Sequence, residues 1–528
     1  MTPPETSANR QIARAAGTVM FAFLLSTLTG LLRWVLVANA FGTSTEMEAF
    51  SAANRVSETL YYLVAGGALG SAFIPTFTGL LAKDQRRKAW EMASAVINLV
   101  LLILIFASLL AAIFAPQIVR YILAPGFASD PDKFDLTVSL TRLMLPSAII
   151  FGVSGLVMGI LNSHQIFLFP ALAPSMYALG MIFGVLVLSP KMGIYGLAWG
   201  VLLGAGLHLL VQIPVLVRQG GRYSATLGLR LAEVGEVARL MGPRLLGVAV
   251  VQLNFWINVR LASGMPEGSV NGVTYAFTLM LMPQTVIAQS IATAAMPTFA
   301  AQYARGQISE MRHSLSATLR GVLLLALPAS VGLVLLRFPL VATLYQRGEF
   351  DAHSTELVAW ALLWYGVGLI GHSVVEILAR AFYALHDTRT PVLIGAGAMG
   401  LNVVFSFLFA AWFERLGWMP HGGLALANTV ATGLEMLGLL IAMRLRLGGL
   451  AGAHILKGLA QAGIASAGMA AFLLLSENWL AAQPAWRALS VGVAGGGLVY
   501  GLGGILLGIG EVRSLLNWLA RRLGWPRK

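Results

Sequence analysis

The sequence predicts an all-α polytopic membrane protein with about fourteen transmembrane helices and both chain ends on the cytoplasmic side. Three observations support this fold class: the composition, the spacing of apolar segments and the distribution of basic residues. Hydrophobic residues make up 57% of the 528 residues and charged residues only 11%, whereas a soluble domain is typically about 25% charged. With a mean hydropathy of +0.78, the chain is neither an ordinary soluble protein nor a disordered or fibrous one.

The apolar segments are long enough to cross a bilayer. A hydrocarbon core about 30 Å thick requires roughly 20 apolar residues in a helix. Fourteen segments meet this requirement, and the weakest break is the short polar turn between the fourth and the fifth. The predicted spans are 13–40, 48–80, 89–114, 134–162, 167–188, 193–217, 236–262, 269–303, 310–336, 355–385, 391–413, 421–443, 453–476 and 486–510.

Basic residues are concentrated on one side of these spans. With the N-terminus inside, 22 of the 35 Lys and Arg residues fall on the cytoplasmic side and seven on the other. Cytoplasmic loops of membrane proteins carry this excess, so the +13 net charge indicates orientation rather than nucleic-acid binding. We expect the first span to be an uncleaved helix, the alternative being a signal peptide. Residues 511–528, with Trp518 and Trp525, predict an amphipathic cytoplasmic tail.

Short matches at a nearly constant offset indicate an internal repeat. Ala72–Phe77 resembles Ala294–Phe299 at an offset of 222 residues, and His164 precedes His386 by the same number. Residues 196–198 and 423–425 both read Gly-Leu-Ala. Spans 1–6 and 7–12 are therefore predicted to be two copies of a six-helix unit related by an axis along the membrane normal, a plan typical of transporters. The alternative is chance similarity among helices rich in small residues.

This repeat predicts four regions. They are an N-terminal lobe (1–222), a C-terminal lobe (223–447), two extra helices (448–510) and the basic tail (511–528).

No motif in the sequence indicates an enzyme. The chain has no cysteine, no phosphate-binding loop of the G-x-x-x-x-G-K-[ST] type and no G-x-S-x-G nucleophile elbow. The histidines lack the i,i+4 spacing of a helical zinc site. We therefore expect a protein without catalytic residues or a bound cofactor, in which a gradient or the substrate supplies any energy.

Ionisable residues within predicted spans are candidate functional residues, because their burial in lipid is costly. Arg33 and Arg260 are candidates for a cationic cavity that attracts an anionic headgroup, although Arg33 could instead reach the outer surface. Glu48 and Arg55 share a face of span 2 and could form a pair that opens and closes. The alternative for Glu48 is a capping box with Thr45 at the start of a helix.

A second group of polar residues suits energy coupling. Glu435 stands alone in span 12, where it could carry a proton, bind a cation or remain a neutral hydrogen-bonded acid. Glu376 lies between His372 and Arg380 on one face of span 10, and the alternative to coupling is a self-neutralised Glu376–Arg380 pair.

Uncharged oxygen ligands also occur within the spans. Asn254 and Asn258 in span 7 and Asn402 and Ser406 in span 11 could line a site for a coupling cation, with sodium or a proton as the coupling ion. Hydrogen bonding between helices is the alternative for these residues.

Three stretches of the sequence carry a family resemblance: Phe50 through Pro75, Tyr345 through Phe350 and Arg380 through Pro391. They resemble the MurJ (MviN) lipid II flippases of the MOP exporter superfamily, and the resemblance covers essentially the whole chain. It implies a flippase of the bacterial inner membrane that moves lipid II, the undecaprenyl-pyrophosphate-linked peptidoglycan precursor, to the outer leaflet by alternating access.

The resemblance also implies roles for individual residues. It implies an essential arginine at Arg33, an acidic gate residue at Glu48 and a basic residue at Arg55. The headgroup would enter a cationic cavity between the lobes, and the lipid tail would follow a groove involving the two extra helices. Cell-wall synthesis proteins are the further partners that it suggests.

The chain departs from the family pattern at several positions. Thr27 and Thr278 stand where cavity arginines are expected, and Tyr62 stands where a basic residue often occurs. Phe277 and Leu281 lie near positions that are acidic in the family. Fewer positive charges are therefore available to bind pyrophosphate than in other members of the family.

The coupling positions depart as well. Members with a sodium site carry aspartates where Asn258 and Ser406 stand, and Glu435 takes the place of an asparagine. Two other functions stay open: transport of another polyprenyl-linked oligosaccharide or an amphipathic small molecule, and a transport-inactive scaffold for wall synthesis. Retention of Arg33, Glu48 and Arg55 argues against the scaffold.

Overall fold

The computed structural model of the protein describes residues 22, 25–64 and 73–511, and these residues are helical almost throughout. No β-strand occurs in this part of the chain, as expected where lipid cannot satisfy backbone hydrogen bonds. Residues 65–72 of the first resemblance stretch and all of the predicted tail beyond Glu511 lie outside the described residues, as does most of the N-terminal part of span 1.

Contacts divide the chain into two compact units, Met1–Glu267 with Gly348–Phe350, and Gly268–Arg347 with Asp351–Lys528. The helices of the first unit are α1 Leu25–Phe41, α2 Thr45–Val64, α3 Ile74–Ala82, α4 Arg86–Ile113, α5 Pro131–Ser163, α6 Leu168–Met192, α7 Ile194–Arg218 and α8 Ala232–Ala262. Between α4 and α5 lie three short helical segments, Ala115–Gln117, Ile118–Leu123 and Pro125–Ser129.

The second unit is built in the same way. Its helices are α9 Ser269–Ala304, α10 Ile308–Leu335, α11 Arg337–Tyr345, α12 Ala352–Ala384, α13 Arg389–Arg415, α14 His421–Arg446, α15 Gly452–Leu475 and α16 Ala485–Leu506, with the short segment Glu477–Ala481 before α16. Single-turn π segments interrupt α6 at Gly184–Leu188 and α9 at Thr285–Gln289.

Eleven of the described helices are long and apolar enough to cross a membrane, and each coincides with a predicted span. The other three predicted spans correspond to α1, α2 and α8. The described part of α1 is short, α2 carries Glu46, Glu48, Arg55 and Glu58, and the described apolar segment of α8, Val248–Ala262, is short as well. A polytopic all-α membrane protein is therefore confirmed, and the total of fourteen spans stays a prediction.

Helix bounds support the internal repeat. Helices α4 and α10 both have 28 residues, and α5 and α12 both have 33. Asp130 caps α5 by accepting a hydrogen bond from Lys133 N, and Asp351 caps α12 by accepting one from Ser354 N. These matches place Gln165, rather than His164, opposite His386, and both residues adopt positive φ angles of 59° and 57°. The predicted alignment of the two histidines is thus wrong by one residue.

The contact-based division does not follow the predicted lobe limit at 222–223. Helix α8, the first helix of the predicted second lobe, packs within the first unit. Trp256 Nε1 donates to Thr59 Oγ1 of α2 at 2.7 Å, and the guanidinium of Arg55 lies 4.8 Å from the ring centroid of Phe255. The lobe limits were predicted from the sequence repeat, whereas the two units are defined by contacts in space. The units therefore do not test the lobe limits, which stay a prediction.

Each unit has its own apolar core. In the first unit, buried side chains of α3, α4 and α5 include Phe77, Leu104 and Ile160. In the second unit, the core of α10, α12 and α14 includes Leu319 and Ile377.

The two extra helices are fixed to the second unit by polar contacts. The side chain of Arg320 on α10 is 9% exposed, and its Nε lies 2.7 Å from Glu511 Oε1. Its Nη2 also donates to Gln461 Oε1 of α15 at 3.2 Å.

Candidate functional site

A cavity of about 240 Å³ lies within the first unit, among helices α2, α5, α6 and α7. Aromatic walls with a few polar groups at defined points are typical of small-molecule sites. The lining residues are Asn54, Ser57, Glu58, Tyr61, Tyr62, Ser147, Phe151, Pro174, Tyr177, Val201 and His208.

The aromatic wall is continuous. The ring centroids of Tyr61 and Tyr62 lie 5.2 Å apart, those of Tyr61 and Phe151 lie 5.3 Å apart, and those of Phe151 and Tyr177 lie 5.1 Å apart. Rings at such distances attract each other through their quadrupoles. The wall therefore joins α2, α5 and α6 in one apolar surface.

The polar wall comes from one stretch of α2. Ser57 and Glu58 follow Asn54 by three and four residues, so all three side chains lie near one helix face. Asn54 Nδ2 donates to Glu58 Oε1 at 2.8 Å, and Arg55 Nη1 lies 2.9 Å from Glu58 Oε2. Both carboxylate oxygens of Glu58 are thus engaged, and its charge is balanced by Arg55. Arg55 pairs with Glu58 here, and a pair of Glu48 and Arg55 that opens and closes stays a prediction.

His208 closes the cavity at α7. Its Nδ1 lies 2.7 Å from Ser154 Oγ, and Gln212 Nε2 donates to the same hydroxyl at 2.9 Å. All three side chains are buried. This network fixes the orientation of the imidazole ring.

Arg33 lies beside the cavity wall. Its guanidinium carbon is 5.1 Å from the ring centroid of Trp34 and 5.4 Å from that of Tyr177, distances at which cation–π attraction is effective. Its Nη1 also lies 3.5 Å from Met181 Sδ. Arg33 forms no salt bridge within the described residues, and its buried Nε has no hydrogen-bond partner there. Arg33 thus contacts Tyr177, a residue of the cavity lining, without being a lining residue itself.

Glu48 is paired within the first unit. Lys133 Nζ lies 2.5 Å from Glu48 Oε2, and the two side chains are 10% and 2% exposed. The proposed capping box with Thr45 is not formed: Ser44 Oγ accepts from Met47 N at 3.3 Å, and Thr45 N donates to Glu267 at 2.8 Å. Lys133 was not among the predicted site residues, because its partner is 85 residues away in sequence.

The predicted site residues on α8 make local contacts. The exposed Arg260 donates to the carbonyl oxygens of Tyr121 and Ile122. Asn258 Nδ2 donates to Asn254 Oδ1 at 3.2 Å. These contacts favour a structural role, hydrogen bonding to neighbouring groups, for Arg260, Asn254 and Asn258.

Asn402 and Ser406 belong to the second unit and are 1% and 0% exposed. Ser406 Oγ lies 3.5 Å from Asn402 Oδ1, and Asn402 Nδ2 has no partner within the described residues. Asn258 belongs to the other unit, so the predicted four-residue cation site is not assembled within either unit. Nor does any group of three or more His, Cys, Asp or Glu suited to a metal ion occur among residues 22, 25–64 and 73–511.

The remaining coupling candidates lie on α12 and α14. Glu376 pairs with Arg380 at 2.8 Å, which is the self-neutralised alternative. His372 Nε2 lies 2.9 Å from Asn428 Oδ1. Glu435 is partly buried and forms no ion pair in the described part of the chain. Its Oε1 packs against Gly395 of α13, where an added Cβ would lie only 3.1 Å from the oxygen.

The positions that depart from the family pattern have local explanations. Thr278 Oγ1 donates to Thr274 O at 2.9 Å, and Thr27 lies on an exposed part of α1. Tyr62, interpreted from the sequence as a lost basic residue, is part of the aromatic wall. The spacing of Asn54, Ser57 and Glu58 was the sequence signal for the polar wall, whereas Tyr177 and His208 look like ordinary residues of apolar spans.

The helices and the cavity define a polytopic membrane transporter. The family described as "Lipid II flippase MurJ" matches residues 37–488, and the chain belongs to this family. It is 33% identical to the lipid II flippase MurJ of Burkholderia cenocepacia, over 82% of this chain and 84% of that protein. It is 32% identical to a probable lipid II flippase MurJ of Rhizobium tropici, over 81% of this chain and 80% of that protein.

Solved structures support the same fold. A lipid II flippase MurJ in an inward closed conformation superposes with a TM-score of 0.79 at 24% identity, over 94% of this chain and 99% of that one. An inward-facing multidrug resistance MATE transporter of the MOP superfamily gives a TM-score of 0.65 at 16% identity, over 82% of this chain and 98% of that one.

Proposed function

We propose that this chain is a flippase that carries lipid II from the cytoplasmic to the outer leaflet of the bacterial inner membrane by alternating access. Membership of the MurJ family supports this proposal, as does the match over 84% of the lipid II flippase MurJ of Burkholderia cenocepacia. The direction is the one that the family resemblance implies.

Arg33 is the observation that carries the proposal. A cation within a membrane helix is costly, and it is usually retained where it pairs with a charge or binds a substrate. Arg33 forms no salt bridge within the described residues, and cation–π contacts with Trp34 and Tyr177 hold it in place. An arginine held in this way is suited to bind a pyrophosphate group through charge-assisted hydrogen bonds.

The test is lipid II flipping by the purified full-length chain in vesicles that contain lipid II in both leaflets. We expect the native chain to flip lipid II and Arg33→Gln to lower the rate at least tenfold. Arg142→Gln is the matched control, since Arg142 is an exposed arginine of α5 that donates to the backbone carbonyl of Ala112. In bacteria depleted of their own flippase, the native chain and Arg142→Gln should restore lipid II in the outer leaflet, and Arg33→Gln should not.

A native chain that inserts correctly but flips no lipid II would contradict the proposal. Flipping of another polyprenyl-linked oligosaccharide would then favour a different substrate. Restored wall synthesis in cells without any flipping in vesicles would favour a scaffold that recruits wall-synthesis proteins.

We also propose that Glu435 couples transport to a proton or cation gradient. Its carboxylate lies on an apolar helix against Gly395 and forms no ion pair among the described residues. A carboxylate with these surroundings can gain and lose a proton or a cation during transport. Glu435→Gln should abolish the dependence of flipping on the gradient, whereas Glu414→Gln, at an exposed helix end, should retain it. Unchanged gradient dependence in Glu435→Gln would rule out this role.

A further inference from the structure

We propose that the cavity of the first unit binds one pyranose ring of a glycosyl phosphate, with the phosphate directed towards Arg33. The inference rests on the proposed function, because the headgroup of lipid II contains such a group. It adds a site within a single unit and assigns specificity to Ser57 and the aromatic wall.

The size of the cavity limits the ligand. Pockets for drug-sized ligands have volumes of about 300–1,000 Å³, and this cavity has about 240 Å³. It is therefore too small for a disaccharide with its peptide, and it suits a single ring.

Unsatisfied polar groups in the wall call for a ligand with hydroxyl groups. Ser57 is 3% exposed, and its Oγ has no hydrogen-bond partner within the described residues. The hydroxyl groups of Tyr61, Tyr62 and Tyr177 make no hydrogen bond to the described protein either. A ligand hydroxyl that pairs with the buried Ser57 Oγ makes a hydrogen bond that the described protein leaves unmade, and the tyrosine hydroxyls offer it further partners.

The aromatic wall suits the other side of a sugar. The C–H groups on one face of a pyranose carry partial positive charge and pack well on the negative face of an aromatic ring. Phe151 and Tyr177 supply such rings to the cavity that the polar residues of α2 also line. A pyranose packed on these aromatic rings would direct its hydroxyl groups towards Asn54 and Ser57.

Charge favours a sugar phosphate over an organic cation. Glu58, the only carboxylate in the cavity lining, is neutralised by Arg55 at 2.9 Å. Arg33, which forms no salt bridge among residues 22, 25–64 and 73–511, adds a positive charge 5.4 Å from the ring centroid of Tyr177. The surroundings therefore attract an anion at one end of the cavity and repel a cation.

Binding to the full-length chain in nanodiscs tests this assignment. Saturation-transfer NMR would compare N-acetylglucosamine 1-phosphate, N-acetylglucosamine, inorganic phosphate and tetraphenylphosphonium. We expect the sugar phosphate to bind at least tenfold more tightly than either the sugar or phosphate alone. Ser57→Val should weaken the sugar phosphate about tenfold and leave phosphate unchanged, and Phe151→Leu should weaken it about fivefold.

Ser108→Val is the matched control, because Ser108 is also a buried helical serine whose Oγ has no partner among the described residues. It lies outside the cavity and should bind like the native chain. Equal binding of the sugar phosphate by Ser57→Val and the native chain, no binding by the native chain, or preference for tetraphenylphosphonium would each overturn the assignment.

Flipping assays separate this inference from the proposed function. A native chain that flips lipid II while Ser57→Val and Phe151→Leu bind sugar phosphate normally leaves the function standing and refutes the sugar site. A native chain that binds sugar phosphate in the predicted manner but flips no lipid II supports the site and refutes the function.

Discussion

Lys133 of α5 and Glu48 of α2 form a buried ion pair, with Nζ and Oε2 2.5 Å apart. The lysine ammonium also lies 4.2 Å from the ring centroid of Phe127. The residue that family resemblance marks as an acidic gate is thus held by a lysine of its own unit. Any gate movement of Glu48 must exchange this partner or carry Lys133 with it.

Removal of one member of this pair should destabilise the protein strongly. Glu48→Gln or Lys133→Met removes one member of a buried ion pair, which typically costs about 3–5 kcal/mol. Thermal unfolding in detergent should therefore show a large decrease in the melting temperature for either single variant and a smaller decrease for the double variant. Asp135→Asn, at an exposed position of α5, serves as control. Additive losses in the double variant would show that the two charges are not coupled.

Glycines pack α6 tightly against α7. A Cβ added at Gly180 would overlap the backbone of Gly204, and one added at Gly184 would lie 2.7 Å from Gly200 Cα. Gly180→Ala should therefore destabilise the protein by about 1–3 kcal/mol, the usual cost of overpacking. Differential scanning fluorimetry can measure this loss.

Gly497→Ala on α16 is the matched control, because an added Cβ there meets nothing within 4 Å. It should be neutral or slightly stabilising, since alanine favours helix more than glycine. Gly497 and Gly501 have the four-residue spacing of a packing motif of membrane helices, but an added Cβ at either position meets no described atom within 4 Å. Equal effects of Gly180→Ala and Gly497→Ala would contradict this distinction.

Asn98 of α4 forms hydrogen bonds with the loop between α7 and α8. Its Nδ2 donates to Ser224 O and Thr226 O at 3.2 and 2.8 Å, and Tyr223 donates to its Oδ1 at 2.6 Å. Asn98→Leu removes these bonds, and a loss of about 1.4 kcal/mol in local stability corresponds to tenfold more frequent opening. Trypsin should therefore cut at Arg222 about tenfold faster. Cleavage at Arg305, in a turn without these bonds, should not change; a general increase would indicate global unfolding instead.

Asp387 makes a pH-dependent contribution to the stability of the folded protein at the start of α13. It accepts hydrogen bonds from Thr390 N at 3.0 Å and Thr390 Oγ1 at 2.8 Å, which lower its pKa from the ordinary value of 3.8. Because the folded pKa is the lower one, the stabilisation is present above pH 3.8 and is lost as the pH falls through the folded pKa.

Asp387→Ala should therefore be less stable than the native chain at pH 7, by about 0.5–2 kcal/mol as for other helix-capping residues. The difference should shrink as the pH is lowered from 5 to 3, in unfolding measured by circular dichroism. Asp132→Ala, at an exposed position of α5, should show a smaller change in the difference. A constant difference for Asp387→Ala across this range would exclude a role for its charge.

The composition and segment lengths determined the fold class, because lipid leaves no alternative to helices with internally satisfied backbone groups. The apolar segments predicted the positions of the eleven long apolar helices to within a few residues. The repeat was also visible, although the matched caps Asp130 and Asp351 and the equal helix lengths were needed to correct its alignment at Gln165.

Partners of the charged residues were decided by the tertiary structure. From spacing along α2, Glu48 and Arg55 were plausible partners, but Lys133 and Glu58 lie closer to them. A seven-residue separation places two side chains on one face two turns apart, about 10 Å along the axis. That distance is too long for an ion pair when nearer partners of opposite charge exist.

Sequence alone thus determined that the chain is a membrane-spanning helical protein with an unusual set of charges, since hydropathy and charge are properties of each segment by itself. Only the tertiary structure decided which side chains meet. The cavity combines side chains from four helices of the first unit, and the glycine contacts join two helices that approach unusually closely. Both depend on how helices distant in sequence pack, which no local pattern specifies.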